Sequence, residues 1–179
     1  MQAQDILAFW FDELGDQQRF AKDTVLDAMM RARFGEILQA ASRGELFKWR
    51  TTPQGRLAEI IVLDQFSRNI RRDTASAFAQ DAQALTLAQE LVASGQDYML
   101  DVSRRSFVYM PYMHSESTLI HAQAVALFSQ TGMERTLAYE QRHKAIIDKF
   151  RRFPHRNAIL GRASTDEELV FLSHPGSSF

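Results

Sequence analysis

Along nearly the whole chain apolar residues recur three or four positions apart, and the strict alternation of a half-buried strand is hard to find. The spacing predicts a first helix from about Gln4 to Leu14, closed by Gly15. A second starts near Asp23, carries Leu26, Met30, Phe34, Leu38 and Ala41 on one face, and stops at Gly44. A third follows Pro53 and runs from about Gln54 to Ile70. A fourth runs from about Ser76 to Ser94, with Phe78, Ala82, Leu85, Ala88 and Val92 in register and Gly95 just beyond its end. Pro111 interrupts the next segment. Beyond it, one helix is expected from about Ser115 to Gln130. Another is expected from Met133 to about Phe150, ending before Phe153-Pro154 because a residue preceding proline resists the α region. A last short helix opens at Thr165, where Thr165 and Glu168 form a capping box. Helices joined by short loops pack as antiparallel neighbours. The expectation is therefore an all-α fold of stacked helical hairpins, in a single domain over residues 1–179. No motif recurs at a fixed spacing, and the tail after Leu172, with Pro175, Gly176 and its serines, reads as frayed.

Composition narrows the function classes. At 179 residues with 45% hydrophobic and 24% charged side chains, the chain resembles ordinary globular proteins and is long enough for its own core. The net charge of −1 supplies no global field toward nucleic acid or an anionic membrane. Arginines cluster at Arg71-Arg72, Arg104-Arg105 and Arg151-Arg152, but apart from Phe150 and Phe153 no aromatic residues are interleaved for base stacking, so a nucleic-acid partner is not expected. The longest apolar run, Ile6 to Phe11, is far short of the roughly 20 residues of a membrane span, and no basic segment precedes it. A cytoplasmic protein without a membrane partner is the default expectation.

With 0 cysteines, disulfides and thiolate chemistry are excluded. Neither metal nor cofactor is expected. The dinucleotide, P-loop, His-Glu-x-x-His and nucleophile-elbow motifs are absent. Glu140 with His143 is half of a di-iron signature and finds no second half, while His114 and His121, seven apart, make a weak metal pair.

What the periodicity does single out is polar residues on apolar faces. The stripe set by Leu57, Ile60 and Ile61 runs on to Asp64 and Arg68, themselves an acid-then-base pair four apart. His143 lies on the face of Tyr139, Ile146, Ile147 and Phe150, with Glu140 three residues before it and within reach. The run Met110 to Glu116, with His114 and Glu116, falls at a helix start, where free N–H groups favour an anion. The connection from 150 to 162 packs Arg151, Arg152, His155, Arg156, Asn157 and Arg162 together. A structural reading stands beside each: Asp64 with Arg68 bracing helices, His143 a satisfied core histidine, His114 and Glu116 capping a helix, the arginines tying down carbonyls. Arginine's planar fork suits carboxylate or phosphate.

The stretches 64–69 (Asp-Gln-Phe-Ser-Arg-Asn), 109–116 (Tyr-Met-Pro-Tyr-Met-His-Ser-Glu) and 152–157 (Arg-Phe-Pro-His-Arg-Asn), with Leu160-Gly161-Arg162, resemble a bacterial family known as domain of unknown function 924. The opening Ile6 to Phe11 and the closing Ser164-Thr165 with Glu167-Glu168 extend the likeness over nearly the whole chain. The resemblance implies a tetratricopeptide-like array of helical hairpins and no established activity. Its signature polar residues fall on Asp64, Arg68, Asn69, His114, Glu116, His143, His155, Arg156 and Asn157. The family's usual proline and glycine are replaced by Ser67 and Arg151.

Two functions compete. One is a binding module whose polar cleft, lined by Asp64, Arg68, Asn69, Arg152, His155, Arg156 and Asn157, holds an anionic small molecule or an acidic peptide. The other is a hydrolase or lyase acting on a phosphorylated or carboxylated substrate. There His114 or His143 is the acid or base, oriented by Glu116 or Glu140, and Arg68 and Arg156 hold the anion. A buried polar network with protein binding elsewhere is the third possibility. Both leading functions require these charges to turn inward and the three polar stretches to meet around one solvent-reachable hollow.

Overall fold

A computed structural model describes residues 1–178 of the chain. The fold is all-α, and the described residues contain no strand. The chain gathers into two compact units, Met1–Arg72 with Ser76–Pro111, and Asp73–Ala75 with Tyr112–Phe179.

The first unit begins with α1 (Ala3–Ala8), continued by a widened π turn over Phe9–Glu13, and a short α2 (Asp16–Phe20). Helix α3 (Thr24–Ser42) starts where Asp23 accepts hydrogen bonds from the Val25 and Leu26 amides, and it ends before Gly44 at φ +73°. Thr52 caps α4 (Pro53–Ile61), which runs through a second π turn, Val62–Phe66, into α5 (Ser67–Ile70). Every residue from Leu57 to Ser67 is buried, so this is a core helix with no solvent face. Phe66 packs on Phe9, Trp10 and Phe34 with ring centroids 5.8, 5.8 and 4.9 Å apart, and Trp10 meets Phe107 edge-on at 5.7 Å.

Helix α6 (Asp81–Ala93) starts later than the sequence predicts, because Ala75–Ala77 form a separate 3-10 turn. Its buried face is Ala84, Leu87, Ala88 and Leu91, one position off the predicted register, and Ala82 points outward. Pro111 does not interrupt α7 (Val102–Met113). It lies in the last turn, where the missing N–H forfeits one bond near an end that is about to fray.

In the second unit α8 (Thr118–Phe128) packs on α9 (Glu134–Phe150). Helix α9 stops because Arg151 takes the left-handed conformation at φ +62°, before Pro154 exerts its effect. A 3-10 turn, Pro154–Arg156, follows, and α10 (Asp166–Leu172) opens with the predicted capping box. Thr165 Oγ1 accepts from the Glu168 amide at 3.2 Å, and Glu168 accepts from the Thr165 amide at 2.8 Å. Ile146, Ile147 and Phe153 form the buried centre, with Phe150 and Phe171 against it. Among the described residues no helix is long and apolar enough to cross a membrane.

Candidate functional site

The charges that the periodicity placed inward are inward. Asp64 is 1% exposed, His143 6%, and the Arg68 side chain 19%. Asp64, Arg68 and Asn69 belong to the first unit, and the remaining candidates to the second.

In the first unit the candidates are matched charge for charge. Arg68 Nη1 lies 3.0 Å from Asp64, and its fork donates to both oxygens of Asp81 at 2.9 and 3.0 Å. Gln65 donates to the other Asp64 oxygen at 2.6 Å. Asn69 donates to Asp27 at 3.0 Å, and Arg72 grips the same carboxylate with two nitrogens. Burial pushes the Asp27 carboxyl up, but Arg72 and Asn69 outweigh it and hold the group below its ordinary range. Sequence reasoning missed Asp27, Arg72 and Asp81. Asp27 lies among α3's buried positions with Met30 and Phe34, a charge on an apolar stripe that the same test could have flagged.

In the second unit one ring organises the candidates. Phe153 is fully buried, and His121, His143 and His155 meet it with ring centroids 6.2, 5.7 and 5.6 Å away. The Arg156 guanidinium lies over the same ring at 4.5 Å, and His114 is 6.5 Å from His143. Four of the chain's five histidines are therefore gathered here, from the loop after α7, from α8, from α9 and from the 3-10 turn. His114 and His155 are half-buried and reach the surface.

The acid–base pairs expected from the sequence do not form. Glu140 accepts nothing from His143. Its Oε1 is 2.7 Å from His121 Nδ1, and neither side chain of that pair is exposed. His121 Nε2 is 2.8 Å from the Ser115 carbonyl, which can only accept, so Nε2 carries a hydrogen and one proton is shared between Nδ1 and Glu140. Burial raises the Glu140 pKa, although His121 opposes the shift, and Glu140 Oε2 is buried with no hydrogen-bond partner among the described residues. His143 donates from Nδ1 to the Tyr139 carbonyl one turn back at 2.8 Å. Burial drives His143 down to about 3 and His155 to about 4, so both rings are neutral at neutral pH.

Glu116 is equally committed. Arg162 donates to both its oxygens at 2.7 and 3.0 Å, and the Phe153 amide donates to one at 2.8 Å. Arg152 grips Glu168 at 2.6 and 2.7 Å, and Asn157 joins the two knots by donating to Glu168 at 3.3 Å and accepting from Arg162 at 3.0 Å. The Arg152 fork holds the Glu168 carboxyl down at about 2. Arg156 Nη2 donates to the His114 carbonyl at 3.2 Å. His121 and Glu168 were not among the predicted site residues. His121 could have been found, because it shares α8's buried stripe with Ala124 and Phe128. Among the described residues no group of three or more histidine, aspartate or glutamate side chains is placed to hold a metal.

An all-helical chain with this polar knot at its second half is a member of a bacterial family rather than an isolated design. The chain belongs to the bacterial proteins of unknown function grouped as DUF924, whose family model matches residues 6–176. It is similar to the solved structure of ATU0120 from Agrobacterium tumefaciens, a protein of unknown function, with 36% identity over 96% of each chain and a TM-score of 0.90. No curated protein matches it.

Proposed function

We propose that the second unit is a binding module for a carboxylate-like anion, a small molecule or an acidic peptide, received by His114, His143, His155 and Arg156 around Phe153. The observation that supports this is the stacking of the Arg156 guanidinium on a ring already ringed by imidazoles. That arrangement concentrates donors for an anion, and its half-buried members open to solvent. The acidic side chains beside it, Glu116 and Glu168, are engaged by Arg162 and Arg152. In the first unit Asp64, Arg68 and Asn69 brace helices and have their charges matched locally, so they are assigned a structural role. Acid–base chemistry is the weaker reading, since Glu116 and Glu140 face Arg162 and His121 instead of the histidines they were expected to orient.

Titration with sodium acetate and with inorganic phosphate, followed by the ring-nitrogen resonances of the histidines, tests the proposal. Saturable shifts at His143 and His155 that vanish in Arg156→Gln are expected. Shifts absent in the parent protein, or unchanged in that variant, overturn it.

A further inference from the structure

The chain after α10 reads from sequence as a frayed tail, and Ser173 to Gly176 are indeed exposed. Ser177 is not. It is only 9% exposed, its hydroxyl donates to the Leu172 carbonyl at 3.3 Å, and its backbone hydrogen-bonds the His155 ring. That bond favours the protonated imidazole, as a carbonyl acceptor does. Gly176 takes φ +78°, a turn open to glycine, and a Cβ there would sit 3.4 Å from the Arg142 guanidinium of α9. An exposed, glycine-bearing segment thus bends back so that one residue reaches a histidine of the anion site.

We propose that the segment from Ser173 to Ser178 is a strap that docks on the histidine cluster through Ser177 and must lift before an anion enters. The strap rests on the binding role assigned above. It makes the apparent affinity the intrinsic affinity reduced by the fraction of molecules with the strap lifted; a strap closed about nine-tenths of the time weakens binding about ten-fold. The turn at Gly176 is the hinge, since a β-branched side chain is strongly disfavoured at that φ.

The test compares the full-length protein with Gly176→Val, using Ser178→Ala as a control, and measures acetate affinity together with amide exchange at Ser177. Gly176→Val is expected to exchange faster at Ser177 and to bind acetate about ten-fold tighter, with Ser178→Ala unchanged. Equal affinity in the parent and Gly176→Val overturns the strap and leaves the binding site standing, and so does unaltered exchange. Weaker binding in Gly176→Val makes the tail part of the site and overturns the strap as a competitor. Acetate bound by none of the three overturns the binding role and the strap with it.

Discussion

Glu140 gives its buried carboxylate to His121 on the neighbouring helix, 2.7 Å away, and not to His143 one turn along its own. Proximity in sequence therefore misassigns the pair, and packing of α8 on α9 makes it. Glutamine at 140 can donate its amide to Nδ1 while His121 keeps its bond to the Ser115 carbonyl. Glu140→Gln is expected to cost less than about 1 kcal/mol, whereas Glu140→Ala, which leaves a cavity and a buried imidazole without its partner, costs about 2–4 kcal/mol. Equilibrium urea unfolding of both variants decides the matter; equal losses would mean that the carboxylate charge itself is required.

Acid should loosen the fold in two separate windows. The unfolded chain binds protons near 6.5 at histidines that burial keeps neutral down to about 3 (His143) and about 4 (His155). Their contribution is fully present above pH 6.5 and declines as pH falls toward those values, by at most about 1.4 kcal/mol per pH unit for each ring. Glu168 acts lower: its contribution is present above its ordinary 4.5 and is lost only as pH falls toward 2. Urea midpoints at pH 7.5, 5.5 and 4.5 should fall steadily in the parent and less steeply in His143→Gln. A flat profile across that range contradicts the buried neutral imidazoles.

Arg151 holds a left-handed conformation that glycine adopts without strain. Arg151→Gly is expected to stabilise the protein by about 0.5–1 kcal/mol despite the added freedom of the unfolded chain. Thermal unfolding reads this directly, and a lowered midpoint would show that the arginine side chain contributes more than the strain costs.

Two glycines should respond in opposite directions. A Cβ on Gly55 would lie 2.1 Å from the Trp49 carbonyl oxygen, whereas one on Gly35, inside α3, meets nothing within 4 Å. Gly55→Ala should lose more than about 2 kcal/mol through forced backbone movement, and Gly35→Ala should gain about 0.5–1 kcal/mol of helix propensity. Denaturant unfolding of the pair provides the comparison.

Helix content, the capping box at Thr165 and the inward turn of Asp64, Arg68 and His143 were legible in the sequence, because each follows from spacing within one element. Partnerships were not. Asp27 with Arg72, Arg68 with Asp81, and His121 with Glu140 join residues from different helices, which no local period encodes. The buried face of α6 was misplaced because its apolar residues nearly encircle it, so several registers fit equally well. Pro111 was misjudged as a break because the cost of proline depends on how close the helix end lies, and the sequence leaves that end undefined.

The widened turn at Val62–Phe66 fits one residue more than an ordinary α turn would. Losing any single codon there would leave an unbroken helix, since regular winding would simply close the gap. Everything downstream would nevertheless swing by about 100°, carrying Arg68 and Asn69 away from Asp81 and Asp27. A one-residue deletion that secondary structure would never notice is thus, for this core, among the most damaging lesions the gene can suffer.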